Sequence, residues 1–465
     1  MAKFSIENFG CRATEADTAA LRHGLLAEGF HLVADESSAD LVVLNTCTVT
    51  AAADSQTRDA VRKIHRANPA ARIIVTGCYA QRAPDEIAAL EGVTWVIGNS
   101  HQTEIPKIAA GLIVETAQGI FPGAPATQKD FVPTSLLDDG QMSLARGPAK
   151  ILTGDIFAQT SVQVAPVGIG EGDRTRPVLK IQDGCNNRCS YCVIPFVRGR
   201  SRSLSPAAVV FEVQKLVAAG SREVVLSGIN LGAYGRDLTS RASLFDVIQR
   251  ILNETELEQL RLSSIEPQDV TEELISLLAG SPRLAPHFHV PLQSGSDRIL
   301  RAMYRWYRAG HYAERVKRIR QISPDAAIGA DVIVGFPGET NEDFKATFEL
   351  IEQLPFTYLH VFSFSARPGT EGAKLAETVQ ATVIRERARA LRALARQKSS
   401  EFRGTQVGRV LRALTLVGGD DTWTPALTAN YLKVRIPGRV AANEWRETSV
   451  LLDETEAKAS ASFQK

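Results

Sequence analysis

At 465 residues the chain is too long for one core of ordinary size and should divide into about three domains. Its 44% hydrophobic and 23% charged residues are those of an ordinary globular protein. No stretch reaches the ~18 apolar residues that cross a membrane, and the N-terminus has no apolar run of the ~7–15 residues a secretory signal needs, so a cytoplasmic location is expected. The net charge of +1 excludes little, but from Ala381 to Arg446 there are 13 Lys/Arg against 5 Asp/Glu, a local basic excess that points to a polyanionic partner.

The first ~110 residues alternate apolar runs with helical patterns, as a parallel α/β layer does. Strands are expected at Lys3–Asn8, Asp40–Leu44 and Arg72–Thr76, with a helix over Glu15–Glu28. Residues 116–175, rich in Gly, Pro, Ala, Thr and Asp, read as a loop-rich linker. Six strands are then expected, at Val178–Gln182, Glu223–Ser227, Gln259–Ser263, His287–Leu292, Ala330–Gly335 and Tyr358–Phe364. The helices between them have readable starts, namely Ser205-Pro206 and the capping box Thr340 to Asp343. Six successive βα units predict a partial TIM-type barrel with its working groups at the strand C-termini. A basic helix, about Thr382 to Phe402, precedes strand-like runs at Val407–Val417, Leu427–Ile436 and Glu447–Leu452, which predict a small antiparallel β-barrel. The expected division is thus 1–115, a linker over 116–175, a barrel domain over 176–401 and a C-terminal domain over 402–465.

Six cysteines are too few for a disulfide scaffold, and in a reducing compartment clustered thiols bind metal or do redox chemistry. Cys185, Cys189 and Cys192 share one short loop after a strand. Three thiolates hold three irons of a [4Fe–4S] cluster and leave the fourth open to a small molecule, whereas zinc wants a fourth ligand that no nearby His supplies. Cys11, Cys47 and Cys78 each stand just beyond one of the first three strands. The C-terminal strand ends of a parallel sheet lie along one edge, so these thiols should converge. Single buried cysteines are common, but the same strand-end position three times suggests more than packing. His287, His289 and His360 lie in apolar strands and read as core histidines rather than a metal group.

The CxxxCxxC spacing with Tyr191 before its last Cys resembles the radical S-adenosylmethionine (SAM) enzymes. The flanking Lys180-Ile181-Gln182-Asp183-Gly184 and Ile194-Pro195-Phe196-Val197-Arg198-Gly199 resemble their methylthiotransferase branch. That resemblance implies two [4Fe–4S] clusters, with SAM chelated to the open iron at Cys185/Cys189/Cys192 and sulfur attached at an auxiliary cluster on Cys11/Cys47/Cys78. It also implies SAM contacts from Tyr191, Gly228, Asn230, Ser263, Glu266, Gln293 and Gly335, with no protein acid or base in the chemistry. The segment from about Phe402 to Leu452 resembles a TRAM domain of RNA-modifying enzymes, and Lys433 and Arg435, on one strand face, are its candidate RNA contacts; the fallback is Arg198, Arg200 and Arg202. Asn45-Thr46-Cys47-Thr48-Val49-Thr50 and Asn430-Tyr431-Leu432-Lys433-Val434 look most like the branch acting on N6-threonylcarbamoyladenosine beside the tRNA anticodon. The implied partners are tRNA, an electron donor and a sulfur donor. The rivals are the branch modifying isopentenyladenosine, the branch modifying a ribosomal-protein aspartate, and an RNA-binding iron–sulfur sensor without turnover.

Overall fold

The structure, a computed structural model, describes residues 2–117, 149–162 and 175–451. Its N-terminal layer is a sheet of β1 (Lys3–Phe9), β2 (His31–Leu32), β3 (Leu41–Thr46), β4 (Arg72–Gly77), β5 (Val93–Gly98) and β6 (Lys150–Leu152), in the order β2-β1-β3-β4-β5-β6. Every pairing in it is parallel. Such a sheet is covered on both faces, which is why its central strands read as unbroken apolar runs. Leu41 and Val43 point with Phe4 and Ile74 toward Leu21, Leu25 and Ile105 of the helices Arg12–Ala27 and Ile105–Ala117. Val42 and Leu44 point the other way, toward Val61 and Ile64 of the helix Ala51–Ala67.

The sequence pattern predicts three of these six strands. β2 and β6 have two and three residues, too few to show a period, and β5 follows only a short helix. β6 also corrects the linker expected over 116–175, because Lys150, Ile151 and Leu152 pair with Trp95, Val96 and Ile97, and both Ile151 and Leu152 are buried. Of that segment, 118–148 and 163–174 lie outside the described residues.

The middle of the chain contains β7 (Val178–Asp183), β8 (Arg202–Ser203), β9 (Glu223–Gly228), β10 (Gln259–Leu262), β11 (His287–His289), β12 (Ala327–Val334) and β13 (Tyr358–Ser363). β10-β9-β7-β8 and β11-β12-β13 form two hydrogen-bonded sheets. They are joined by the parallel bridge Ser264–His289, where the Ile265 N–H donates to the His289 carbonyl at 2.9 Å. β7, β9, β10, β11, β12 and β13 therefore follow one another in parallel around an open barrel, with one shared apolar core against the helices outside. Ser205 caps the helix Pro206–Ala218, and Thr340 and Asp343 form the reciprocal box expected for Asn341–Gln353. Inside the barrel the Tyr358 ring lies across Gly329, where an added Cβ would come within 1.9 Å of it, so only glycine fits there.

The helix Ala381–Gln406 leads to an antiparallel sheet of β14 (Val410–Thr415), β15 (Trp423–Thr428), β16 (Lys433–Pro437) and β17 (Trp445–Ser449), in the order β16-β15-β14-β17. The single run expected over Leu427–Ile436 is two strands. Tyr431 takes a φ of 68°, and the Thr428 hydroxyl bonds the Asn430 side chain (2.7 Å) and the Leu432 N–H (2.9 Å), closing a turn inside the run. This turn docks against the barrel. Arg261 donates to the Ala429 and Thr428 carbonyls at 3.0 and 3.3 Å, and Tyr431 stacks on His287 with centroids 4.3 Å apart.

Candidate active site

β1, β3 and β4 are neighbours, so their C-terminal ends adjoin, and each delivers one cysteine. Cys11 starts the helix Arg12–Ala27, Cys47 follows β3, and Cys78 opens the helix Cys78–Arg82. Gly77 before it has a φ of +98° and would carry a Cβ only 2.4 Å from the Thr46 carbonyl, so the turn that aims Cys78 requires glycine. Cys47 and Cys78 are buried and Cys11 is exposed. Burial, then the charges of Cys78 and Cys11, push the Cys47 thiol up to about 12. Burial also raises Cys78, with the Arg198 guanidinium pulling the other way. Asn99 Nδ2 approaches Cys78 Sγ at 3.5 Å, and the buried Arg198 Nε has no partner among the described residues. A metal in place of the thiol protons fits this pocket, because it would supply the missing acceptor as thiolate or sulfide.

The second set occupies the loop between β7 and the helix Ile194–Arg198. Gln182 organises it, donating to the Gly184 carbonyl (2.8 Å) while accepting from the Asn230 N–H (2.8 Å). N–H donors surround the sulfurs: Asn187 N at 3.4 Å and Asn230 Nδ2 at 3.9 Å from Cys185, and Arg305 Nη1 at 3.1 Å from Cys189. Burial pushes Cys185 up to about 11 and raises Cys192 further. Such donors stabilise thiolates, so this loop also fits iron–sulfur ligation.

The expected SAM contacts follow the ends of β9, β10, β11 and β12 in turn. Asn230 Nδ2 reaches Cys185, and Glu266 is linked to Cys189 through its ion pair with Arg305. Burial raises the Glu266 carboxyl, and Arg305 opposes that rise. The buried Asn230 Oδ1 and Ser263 Oγ have no partner among the described residues, which fits a polar ligand at this rim. Gly228 ends β9 against Gln182, and Gln293, at φ 63°, turns the chain after β11. Tyr191 packs among Ile299, Met303 and Phe336. Gly335, just after β12, donates its N–H to Glu339 (2.8 Å), and a Cβ there would meet Ile384 of the C-terminal helix at 2.4 Å.

Comparison with known proteins places the chain in a family. Residues 3–98 match the model of an uncharacterised protein family, UPF0004, and residues 179–351 match that of the radical SAM superfamily. The threonylcarbamoyladenosine tRNA methylthiotransferase MtaB of Aquifex aeolicus is 36% identical over 94% of this chain and 97% of its own. The tRNA-2-methylthio-N(6)-dimethylallyladenosine synthase of Thermobifida fusca is 34% identical over 89% of this chain and 78% of its own. The chain belongs to the radical SAM methylthiotransferases. The solved radical SAM methyltransferase TsrM of Kitasatospora setae shares the fold alone, with a TM-score of 0.51 and 18% identity over 80% of this chain and 77% of that one.

Methylthiotransferase family membership implies two clusters and SAM, and the two cysteine sets are where this chain offers ligands. Arg305 escaped sequence reasoning; its only signal is a buried position alternating with exposed Tyr304 and Trp306. A polar chain also fills the barrel: Tyr358 Oη lies 2.8 Å from His287 Nε2 and 2.9 Å from His289 Nδ1, while Asp331 Oδ1 lies 3.0 Å from His289 Nε2 and 3.1 Å from His360 Nδ1. His287 and His289 are buried and share the Tyr358 hydroxyl, whereas His360 is exposed. His289, Asp331 and His360 place their polar atoms within 4.8 Å of one another, an arrangement the apolar-strand reading did not expect. Burial, then the Arg261 and Arg12 charges, hold His287 well below its usual range and keep it neutral.

At the C-terminal sheet Lys433 and Arg435 are exposed on the same face of β16, and Arg435 stacks 4.6 Å over the Trp423 ring. Neither has an ion-pair partner among the described residues, while Arg387, Arg409, Arg412, Arg439 and Arg446 are paired with carboxylates. The fallback surface at Arg198, Arg200 and Arg202 fails for two of its members. Arg198 and Arg202 are buried in ion pairs with Asp183 because their short segment folds back onto β7, leaving only Arg200 exposed.

Proposed function

We propose that this protein is a tRNA methylthiotransferase that converts N6-threonylcarbamoyladenosine, beside the anticodon, to its 2-methylthio derivative. The observation that carries the reading is the presence of two separate cysteine triads, one on the edge of a parallel sheet and one in the first loop of an open barrel, with Val193 and Val197, which follow Cys192 of the second, packed on Cys78 of the first. When bound, the clusters and SAM supply the sulfur, the methyl group and the one-electron chemistry that opens an unactivated C–H bond. The chain's own residues bind and orient. Cys11, Cys47 and Cys78 hold the auxiliary cluster, and Cys185, Cys189 and Cys192 hold the radical SAM cluster. Asn230, Ser263 and Glu266 receive polar groups of SAM at the barrel rim, with Tyr191, Gly228, Gln293 and Gly335 shaping the pocket around it. Lys433 and Arg435 follow tRNA phosphates, and separate electron and sulfur donors complete the set in the cytoplasm.

The chain spans nearly the whole length of a relative named for the threonylcarbamoyl substrate, which supports that branch over the dimethylallyl one. Mass analysis of tRNA nucleosides from a deletion strain tests it. Loss of 2-methylthio-threonylcarbamoyladenosine is expected, and loss of the methylthiolated isopentenyl nucleoside instead would overturn the substrate assignment. Deoxyadenosine formation by the reduced protein separates an enzyme from a sensor.

A further inference from the structure

Between the two cysteine sets lies a group of charges that the roles above leave unexplained. Asp17 of the helix Arg12–Ala27 pairs with Lys180 of β7 and, at 2.7 Å, with Arg198. Asp183, the last residue of β7, accepts from Lys180 (2.9 Å), Arg198 (3.1 Å) and Arg202 (3.3 Å). None of the five is more than 9% exposed. Three cations face two carboxylates, and buried charge without a counter-ion is strongly unfavourable. The missing anion has a visible place. Arg198 spends Nη1 and Nη2 on the two carboxylates and its Nε–H has no partner among the described residues, while the preceding Val197 packs on Cys78 and Asn99 Nδ2 bridges the Val197 carbonyl (2.8 Å) and the Cys78 sulfur (3.5 Å). Asp183 also accepts the Gly184 N–H at 2.8 Å, one residue before Cys185, so the carboxylate that aims Arg198 at one cysteine set also fixes the start of the other.

We propose that Arg198 is a positioning residue for the auxiliary iron–sulfur centre: its guanidinium is the buried counter-charge to the sulfur at Cys78 and holds that centre's reduction potential up. The inference rests on the reading of Cys11, Cys47 and Cys78 as cluster ligands. A cationic N–H donor at a cluster sulfur favours the more negative, reduced form, and charge and hydrogen bonds to sulfur are among the levers that set such potentials.

The test uses the full chain with Cys185, Cys189 and Cys192 changed to Ala, so that only the auxiliary centre reports, in an anaerobic redox titration followed by EPR. Arg198→Gln leaves two cations facing two carboxylates, a balanced network that can still fold. It should lower the reduced-to-oxidised ratio at fixed ambient potential at least tenfold, a downward shift of about 59 mV or more for one electron. Arg198→Lys should retain most of the potential. Asp17→Asn, which frees more positive charge, should shift it upward, and it decides the matter if the Gln variant fails to take up iron. A cluster whose potential moves in neither Arg198→Gln nor Asp17→Asn overturns this inference alone. No iron–sulfur absorption in the parent protein overturns the ligand reading with it.

Discussion

Replacing Glu223 by Gln should strike the joint between the barrel and the C-terminal sheet. Glu223 is fully buried and holds Arg261 at 2.7 Å and Arg176 at 3.2 Å, while Arg261, also fully buried, donates to the two carbonyls of the docking turn. The amide keeps the shape and removes the charge, leaving two close cations without a carboxylate. Breaking a buried pair from one side costs about 3–5 kcal/mol, and at roughly 2–4 °C per kcal/mol for a domain of this size the thermal midpoint should fall by about 6–20 °C. Anaerobic urea unfolding of the cluster-loaded protein, read by tryptophan fluorescence, measures the loss. Adding Arg261→Met should recover much of it, since an apolar side chain needs no partner. Burial alone raises the Glu223 carboxyl, but Arg261 and Arg176 outweigh it and hold it below its usual 4.5. A lowered carboxyl contributes stability above its unfolded pKa and loses it as pH falls through the folded value. The wild-type advantage over Glu223→Gln should therefore be full above about pH 4.5 and shrink on further acidification. A loss under about 1 kcal/mol, or a double variant no better than the single, would refute the reasoning.

Reconstituted protein should hold about eight irons if both sites carry four-iron clusters. Cys185→Ala, Cys189→Ala or Cys192→Ala should each lose about half of that iron and all SAM cleavage, and deoxyadenosine formation in any of them would remove the radical site from this loop. Cys47→Ala should still cleave SAM but yield no methylthiolated nucleoside; product from that variant would end the auxiliary-cluster reading. Neutralising Lys433 and Arg435 should weaken tRNA binding and flatten its salt dependence by about one unit of slope for each phosphate left without its cation, with RNA-independent SAM cleavage unchanged. Identical affinity across the salt range would make β16 a solvated face only.

What the sequence revealed depended on how far each signal extends along the chain. Cys11, Cys47 and Cys78 follow the apolar runs of β1, β3 and β4, and Cys185, Cys189 and Cys192 share one short loop after β7, so both triads were legible. Arg198 and Lys180 were not. A cation in a strand or short helix reads as solvated until Asp17, more than 160 positions from Lys180 in the sequence, is seen beside it. The turn at 429–432 was hidden for a different reason: its residues continue the strand alternation, and only the left-handed Tyr431 and the Thr428 hydroxyl break the run. Gly335 carries a second constraint that its motif does not show, since a Cβ there would meet Ile384 on the C-terminal helix.

The barrel is open between its first and last strands, and the N-terminal layer is fastened to both sides of the opening. On one side Asp17 binds Lys180 and Arg198 beside β7; on the other Asp54 binds Arg367, just after β13, at 2.6 Å. Asp54 also accepts from the Thr48 hydroxyl at 2.6 Å and from Arg82 at 3.1 Å, so this second clamp reaches the residue after Cys47 and the end of the helix that Cys78 begins. Cys11 is tied from a third direction, because Arg12 donates to the Tyr431 hydroxyl of the docking turn at 3.3 Å. Each auxiliary cysteine therefore lies within a few residues of a group anchored outside its own sheet. A parallel sheet alone would bring the three thiols to one edge, but these anchors are what aim that edge at the barrel. The buried ions thus orient the two halves with respect to each other, since apolar packing fills a core but carries little directional information, whereas a buried ion tolerates only the arrangement that supplies its partner.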